Sequence, residues 1–254
     1  MGFCDKHKIF FEDLKGKHGF TFSGKCPVCE EEFEKEEEIK MIEAKRQAQL
    51  RLFNQMNIEP EFYRATLENF FANTAEQKKA IRAIDKLILG EKKKIVMLGK
   101  NGTGKTHLAI AAVKKIGGAI YTMNEIGIRI RDSYSSSAIE KEGAILERLS
   151  WLPLLVIDEL GRTKGSEAEK NILSYIIDKR HQRYLPLILI SNKHHKGDCP
   201  SGECPDCFEN FIGEDSMSRL TQNGILLRFF GDDWRENHRR TAPIGKLLVE
   251  PQEK

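Results

Sequence analysis

Hydrophobic and polar positions follow two different patterns along the chain. Residues 30–59 contain no glycine or proline and are rich in Glu and Lys, which predicts one long polar helix. After Pro60, short apolar runs alternate with longer mixed stretches, and four of these runs predict buried strands. They are residues 95–98, 119–123, 154–157 and 187–190. Strands that alternate with helices predict a parallel sheet with helices on both faces, which is the α/β class.

The composition is that of an ordinary soluble protein. At 254 residues, the chain is long enough for one α/β core and a small accessory module. Hydrophobic residues make up 40% and charged residues 31%, and no apolar run approaches the roughly 18 residues that span a bilayer. Residues 1–6 lack the apolar run of a secretory signal, so we expect a cytosolic protein without membrane attachment. Because the net charge is only +3, DNA binding would require a local surface.

A glycine-rich loop follows the first predicted strand. Gly99, Gly104, Lys105 and Thr106 match the pattern G-x-x-x-x-G-K-[ST], in which the glycines let successive backbone N–H groups point at phosphate oxygens. We expect Lys105 to reach the β- and γ-phosphates of ATP and the Thr106 hydroxyl to ligate Mg²⁺. The predicted nucleotide-binding residues of this segment are Gly99, Asn101, Gly102, Thr103, Gly104, Lys105, Thr106 and His107.

Polar side chains follow two of the later strands. Asp158 and Glu159 come directly after the third apolar run, where a parallel sheet places them at its ligand-binding edge. We expect Asp158 to hold Mg²⁺ through water and Glu159 to polarise the attacking water. Asn192 follows the fourth run and would contact the γ-phosphate or position water, although a strand-end Asn is often only a turn former.

Six cysteines fall into two groups that are rich in close pairs. In a cytosolic chain, this clustering indicates metal binding rather than disulfide bonds. The first group combines Cys4, His7, Cys26 and Cys29 in the spacing of a structural zinc site. His18 is an alternative to His7, with a less suitable spacing. Because about thirty residues cannot build a core of their own, we expect zinc to supply much of the folding free energy.

The second group of cysteines lies in a predicted insertion at residues 194–210, after the fourth strand. Either of two adjacent histidines, His194 or His195, would complete a tetrahedral zinc site, and we assign the second of them. The predicted ligands are therefore Cys199, Cys204, Cys207 and His195. A reduced loop without metal is the alternative.

Several of these segments occur in an order that resembles a known family. They are residues 62–70, the loop at 99–106, residues 157–162 and residues 190–192. Together they resemble the DnaC/IstB-type branch of AAA+ ATPases, which contains bacterial and phage helicase loaders and transposition helper ATPases. The resemblance covers roughly residues 58–245 and implies a P-loop NTPase fold with a central parallel sheet and a truncated lid.

The expected organisation combines this resemblance with the zinc-ligand pattern. We expect a zinc-binding module at residues 1–30, a helical linker at 31–57 and an AAA+ ATPase domain at 58–254. The cysteine-rich insertion lies within the third of these.

The resemblance also implies roles for two arginines. In this family an arginine finger reaches the nucleotide of a neighbouring subunit, and residues 218–220 match that element, which makes Arg219 the candidate. A guanidinium supplied in this way neutralises charge that builds on the γ-phosphate and makes hydrolysis depend on assembly. Residues 233–235 resemble a later aromatic-arginine element, so Arg235 is a second nucleotide contact, with Arg239 as its alternative.

In the same branch, the segment after the second strand forms a helical element that touches single-stranded DNA. Here that segment is residues 124–141, which contain Arg129, Arg131 and Tyr134. Two cations and one stacking ring suit single-strand binding. A solvated helix with charged residues is the alternative.

The leading hypothesis is an ATPase that loads a replicative DnaB-type helicase onto single-stranded DNA during replication. The zinc module would contact the hexameric helicase, and the ATPase would form an ATP-dependent homo-oligomer whose hydrolysis is stimulated by assembly, DNA or the partner. The expected location is the bacterial cytosol, for a host or phage protein. One alternative is an IstB-like transposition helper that acts on duplex DNA. Another is a nucleotide-gated adaptor with little hydrolysis.

Overall fold

The structure divides the chain into two compact units, Met1–Asn54 and Gln55–Lys254. The computed structural model describes residues 1–12, 14–15, 21–22, 24–162, 166–199, 201, 204–231 and 233. Among the described helices, none is both long and apolar enough to cross a membrane. His18, Arg235, Arg239 and the residues after 233 that would belong to a lid lie outside the described part of the chain.

The N-terminal unit contains two small antiparallel ribbons. Strand β1 (Gly2–Cys4) pairs with β2 (Ile9–Phe11), and β3 (Leu14–Lys15) pairs with β4 (Thr21–Phe22). Two-stranded ribbons of this length are not stable by themselves in water. This unit therefore needs a further source of folding free energy.

Helix α1 spans Pro27–Gln55, in agreement with the long polar helix that the sequence predicts. It begins before residue 31, since the fixed φ of Pro27 suits the first turn of a helix. Glu31 and Lys35, one turn apart, form an ion pair at 2.8 Å, as is common on solvated helices. Cys29 consequently lies in the first turn of α1.

The second unit is built on a five-stranded parallel sheet. Its strands are β5 (Lys94–Gly99), β6 (Ala119–Thr122), β7 (Leu155–Leu160), β8 (Leu187–Ser191) and β9 (Gly224–Phe229). Their order across the sheet is β6-β7-β8-β5-β9. The four predicted strands are confirmed, and the nearly continuous burial of β5, β7 and β8 is typical of parallel sheets. The apolar pattern does not predict β9, because this edge strand is only partly buried.

Helices follow the strands in alternation, as the α/β pattern predicts. Those of the second unit are α2 (Ala75–Ile88), α3 (Lys105–Ile116), α4 (Met123–Asp132), α5 (Glu142–Trp151), α6 (Glu167–Gln182), α7 (Phe208–Ile212) and α8 (Glu214–Thr221). The start of α2 is a capping box, in which the Thr74 hydroxyl accepts from the Gln77 N–H at 3.1 Å and the Gln77 amide oxygen accepts from the Thr74 N–H. Helix α4 ends at Asp132, so it covers only the first half of the segment expected to contact DNA.

One hydrophobic cluster joins the sheet to its helices. Ile157 of β7 and Leu189 of β8 are fully buried with Ile126 of α4 and Ile176 of α6. Phe208, the first residue of α7, is also fully buried in this cluster. Burial of one large apolar side chain contributes roughly 1.5–3 kcal/mol, so the cluster fixes the strand ends from which the polar residues project.

A buried arginine, Arg180, connects two segments of the chain beside this core. Arg180 of α6 is fully buried, and its guanidinium donates to the carbonyls of Leu149 at 2.9 Å, Leu152 at 2.8 Å and Pro186. Burial lowers the pKa of Arg180 to about 9, which still leaves the side chain charged at neutral pH. Arg180 thus ties the end of α5 to the segment that leads into β8.

We expect Arg180→Met to lower the free energy of unfolding by about 3 kcal/mol, because several buried carbonyls would lose their donor. Urea unfolding of the full chain, followed by circular dichroism, measures this loss. Lys170→Met on the same helix is the matched control, since Lys170 forms only an exposed ion pair with Glu167. A similar loss in both variants would contradict the special role of Arg180.

Candidate nucleotide site and two cysteine clusters

The loop between β5 and α3 has the backbone that phosphate binding requires. Gly99 and Gly104 adopt φ values of 138° and 93°, which favour glycine. A Cβ at Gly99 would lie 2.1 Å from the Phe229 carbonyl oxygen, and one at Gly104 would lie 2.4 Å from the Phe70 ring. Both glycines are therefore needed for close packing as well as for backbone conformation.

Lys105 lies within this loop. Its side chain is buried, and its ammonium donates to the carbonyls of Gly99 at 2.7 Å and Lys100 at 2.6 Å. Because it is the first residue of α3, it stands at a helix N-terminus, where anions are favoured. The ammonium can exchange these carbonyls for phosphate oxygens without leaving the loop.

The structure brings Thr106 and Asp158 together. The Thr106 hydroxyl donates to Asp158 Oδ2 at 2.7 Å. Burial raises the pKa of Asp158, while the hydrogen bonds from Thr106 and from the Glu159 N–H act in the opposite direction. A hydroxyl and a carboxylate side by side are oxygen ligands of the kind that Mg²⁺ prefers. This pair therefore fits the predicted metal position.

Glu159 follows Asp158 with a left-handed backbone. Its φ is 56°, which is unusual for a residue other than glycine and places strain next to the candidate site. Its carboxylate pairs with Arg162 at 2.5 Å. The sequence does not predict this ion pair, which occupies the carboxylate expected to orient water.

A cavity of about 310 Å³ opens beside Thr106, Asp158 and Glu159. It extends to Asn57 and Glu125, where the Asn57 amide donates to the Glu125 carboxylate at 3.2 Å. Asn57 belongs to no motif, and Glu125 forms a capping box with Thr122, which marks the start of α4 and does not indicate a ligand site. Because Asp158 and Glu159 line this cavity, it has room for water beside both candidate catalytic carboxylates.

Asn192 lies at the same edge of the sheet. It is exposed and follows β8, which is located between β7 and β5. Since β7 carries Asp158 and β5 leads into the glycine loop, the order of the strands places Asn192 between them. The tertiary structure thus groups Lys105, Asp158 and Asn192 although they are distant in sequence.

Arg219 lies elsewhere. It is in α8, where its Nε is 2.9 Å from Asp178 Oδ1 and its carbonyl accepts from Lys94 Nζ at 2.6 Å. Lys94 begins β5, whereas the glycine loop follows the opposite end of that strand. Five residue steps along a strand span about 17 Å, so Arg219 is not brought to the loop of its own chain.

The candidate DNA-binding residues are exposed. Arg129 and Arg131 lie on α4, and the Arg129 guanidinium is 5.3 Å from the centre of the Tyr121 ring. Tyr134, after the helix, is 68% exposed, and its hydrogen bond with Glu142 raises its pKa. The surface therefore offers two cations and one accessible ring.

The first cysteine group forms a compact cluster in the N-terminal unit. Cys4, His7, Cys26 and Cys29 each offer a ligand atom within 4.8 Å of the others. Cys4 Sγ and Cys29 Sγ are 3.6 Å apart, and His7 Nδ1 is 3.3 Å from Cys29 Sγ. Ligands of a tetrahedral zinc ion stand roughly 3.5–3.8 Å apart, so this cluster could bind zinc. The Glu32 carboxylate, 3.1 Å from His7 Nε2, orients the imidazole so that Nδ1 faces the sulfurs.

The second cysteine group also forms a cluster, with one correction to its histidine. His194, rather than His195, joins Cys199, Cys204 and Cys207, and this cluster could also bind zinc. His195 is engaged elsewhere, since its Nδ1 accepts from the Gly197 N–H and its Nε2 is 3.1 Å from the Glu209 carboxylate. Successive side chains of an extended segment point to opposite sides, which explains why only one of the two histidines reaches the sulfurs.

Thiols within the clusters differ in acidity. A hydrogen bond with the His7 backbone lowers the pKa of Cys4 to about 6, whereas hydrogen bonding with Cys4 raises the pKa of Cys29 to about 11. Similarly, a hydrogen bond with the Ser201 side chain lowers the pKa of Cys199 to about 5, and burial raises the pKa of Cys207 to about 12. Thiolates packed this closely repel one another, and a bound cation offsets that repulsion.

Comparisons with known proteins agree with the predicted family and fold. The family model described as "IstB-like ATP binding protein" matches residues 35–198, which is more than half of the chain. The "Replicative helicase loader DnaC" of Escherichia coli (strain K12) is 29% identical over 194 residues, which cover 73% of this chain and 75% of that protein. Among solved structures, "Crystal structure of the DnaC helicase loader" is similar in fold, with a TM-score of 0.57 and 23% identity over 67% of this chain and 99% of that one. "Crystal Structure of the DnaI" has a TM-score of 0.53 and 21% identity over 69% and 96%.

Proposed function

We propose that this chain, which belongs to the IstB-like ATP binding protein family of AAA+ ATPases, is an ATP-dependent loader of a replicative hexameric helicase. The observation that carries the proposal is the presence of two units with different chemistry. One contains the phosphate loop and its carboxylates, and the other is organised around a Cys/His cluster. A transposition helper of the IstB kind would not need the second of these. The relatives named as replicative helicase loaders support the same choice.

In the proposed ATP site, backbone N–H groups of the loop hold the phosphates and Lys105 neutralises their charge. Thr106 and Asp158 would hold Mg²⁺, which supplies further charge neutralisation when bound. Glu159 would orient the attacking water after release from Arg162, and Asn192 would contact the γ-phosphate. The remaining nucleotide contacts proposed for the loop are Gly99, Asn101, Gly102, Thr103, Gly104 and His107.

Arg219 completes the proposed site from a neighbouring subunit. Its distance from the loop of its own chain supports action between subunits, because a finger must reach a γ-phosphate directly. The proposal therefore includes a homo-oligomer that forms with ATP. Hydrolysis in this arrangement requires assembly.

The Cys/His cluster of the N-terminal unit would hold a structural zinc ion through Cys4, His7, Cys26 and Cys29. Two short ribbons and a polar helix bury little apolar surface, so metal binding would supply much of the folding free energy. We propose that this unit contacts the helicase. Single-stranded DNA would bind at Arg129, Arg131 and Tyr134, and the protein would act in the bacterial cytosol.

Replacing Cys26 and Cys29 with serine in the full chain is expected to remove the N-terminal zinc and to weaken helicase binding at least about a hundredfold. The physical reason is that structural zinc contributes roughly 10–16 kcal/mol to the folding of small zinc modules. Purified variant and host helicase are mixed with and without ATP, and the complex is quantified by light scattering. Binding of labelled ATP should stay near that of the unchanged chain, because the second unit is intact.

Lys40→Ala on α1 is the control, since Lys40 forms only an exposed ion pair with Glu37. Unchanged helicase binding by the Cys26→Ser/Cys29→Ser variant would contradict the role of the N-terminal unit. If the unmodified chain binds duplex DNA and does not bind the helicase, the result would instead favour a transposition helper. An ATP-dependent helicase complex without hydrolysis would favour an adaptor.

A further inference from the structure

The segment between β8 and α7 folds back on itself around the second cysteine cluster. His194 and Cys207 form an isolated parallel bridge, in which the His194 N–H donates to the Asp206 carbonyl at 3.2 Å. The Phe208 N–H donates to the His194 carbonyl at 2.9 Å. Cys207 and Phe208 are both fully buried. The two ends of this loop are therefore joined by backbone hydrogen bonds, and its Cys207 end is anchored in the core.

The ligand atoms in this segment have the separations of a tetrahedral site. His194 Nε2 is 3.1 Å from Cys204 Sγ and 3.4 Å from Cys207 Sγ, and the two sulfurs are 3.5 Å apart. Cys199 supplies the fourth atom within 4.8 Å of the others. All of these cysteines are free thiols. Three thiolates and one imidazole form a donor set that selects zinc over magnesium or calcium.

We propose that His194, Cys199, Cys204 and Cys207 bind a second, structural zinc ion that positions the turn at residues 159–162, where β7 ends and which begins with the candidate catalytic Glu159. Four protein ligands close the coordination sphere, so this zinc takes no part in hydrolysis. Its role is to fix the zinc loop, which is the loop between His194 and Cys207, whose two ends the backbone bridge joins. The part of the proposal that concerns catalysis rests on the proposed ATPase function.

Lys193 connects this loop to the candidate catalytic site. Its ammonium donates to the Pro205 carbonyl at 3.1 Å and to Asp206 Oδ1 at 3.2 Å, inside the zinc loop. Its aliphatic part lies against Gly161, where an added Cβ would be 2.3 Å from Lys193 Cε. Gly161 has a φ of 75° and lies in the turn that carries Glu159. The zinc loop thus holds Lys193 against the turn from which Glu159 projects.

A second contact ties the loop to the strand beside the phosphate loop. Arg228 of β9 donates to Asp198 Oδ1 at 2.6 Å. The next residue, Phe229, places its carbonyl against Gly99 at the end of β5. The loop is therefore linked to β9, whose Phe229 lies against Gly99, and through Lys193 to Gly161 after β7.

Zinc content of the full chain tests the site directly. The protein is purified without chelators, and zinc per chain is measured by mass spectrometry of the metal. We expect two zinc ions in the unchanged chain, one in His194→Ala, and two in both His195→Ala and His194→Cys. His195→Ala is the matched control, because His195 contacts Gly197 and Glu209 and is not one of the four proposed ligands. One zinc in the unchanged chain, with no further loss in His194→Ala, would overturn the site.

A measurement without variants keeps the test independent of folding. Cobalt(II) replaces zinc in tetrahedral thiolate sites and gives visible absorption bands there. Titration of the metal-free full chain with cobalt should reach saturation at two equivalents, with thiolate bands throughout. Saturation at one equivalent would contradict the second site even if His194→Ala failed to fold.

Lys193→Ala tests the connection to the catalytic turn separately. We expect this variant to keep two zinc ions and near-normal ATP binding, while kcat for ATP falls about tenfold because a misplaced group lowers the rate steeply. His194→Ala should show a similar fall in kcat, and His195→Ala should show none. An unchanged kcat in Lys193→Ala would remove the positioning role and leave the zinc site in place. Failure of the proposed loader function would instead appear as absent helicase binding with two zinc ions present.

Discussion

Arg219→Ala is expected to lower assembly-stimulated ATP hydrolysis about a thousandfold while ATP binding stays close to that of the unchanged chain. An arginine supplied by a neighbouring molecule stabilises charge on the transferring phosphate and contributes roughly 10³–10⁵ to kcat. Arg219 is paired with Asp178 in α6 and lies near the start of β5, away from its own phosphate loop. Removing it should therefore affect only hydrolysis in the assembled state. Steady-state turnover with DNA and helicase, together with equilibrium binding of labelled ATP, measures the two effects.

Two controls separate the finger from a structural role. Asp178→Asn removes the ion pair but keeps the guanidinium, so stimulated hydrolysis should stay within about threefold, as partly exposed pairs contribute little. Mixing Arg219→Ala subunits with Lys105→Ala subunits should restore part of the activity, since an intact Lys105 can then face an intact Arg219 of a neighbour. No restoration, or unchanged turnover of Arg219→Ala alone, would exclude action between subunits.

Glu159→Gln is expected to slow hydrolysis by about a hundredfold or more and to leave ATP binding nearly unchanged. A carboxylate that accepts a proton from, or orients, the attacking water contributes roughly 10²–10⁴ to the rate, and an amide cannot replace it. The variant should consequently accumulate in its ATP-bound assembly. Phosphate release and sedimentation in the presence of ATP measure the two consequences.

Arg162→Ala is the matched test of the ion pair that Glu159 makes in the structure. In the structure the Glu159 carboxylate forms an ion pair with Arg162 at 2.5 Å, which must break before Glu159 can orient water. Without Arg162 this step is absent, so basal hydrolysis should be unchanged or faster. Normal hydrolysis by Glu159→Gln would assign water activation to another carboxylate of the cavity. Glu125, which lines the same cavity, would then be the residue to replace.

Much of the fold is predictable from local sequence. Four strands of the sheet are apolar runs, because a strand covered on both faces must be apolar throughout. The capping box at Thr74 and Gln77 is likewise local, since both hydrogen bonds join residues three apart. Strand β9 is different, as its position at the edge leaves it partly buried and weakens the pattern.

By itself, the sequence determined the phosphate loop, the carboxylates at 158–159 and the two sets of metal-binding residue types, because each is a short run with fixed chemistry. Only the tertiary structure decided between His194 and His195, since two identical neighbours differ only in the direction that the folded backbone gives them. The tertiary structure alone also brings Lys193 into contact with Gly161 and places Arg219 beside Lys94, at the end of β5 opposite the phosphate loop. These facts depend on contacts between residues distant in sequence, and no local pattern records them.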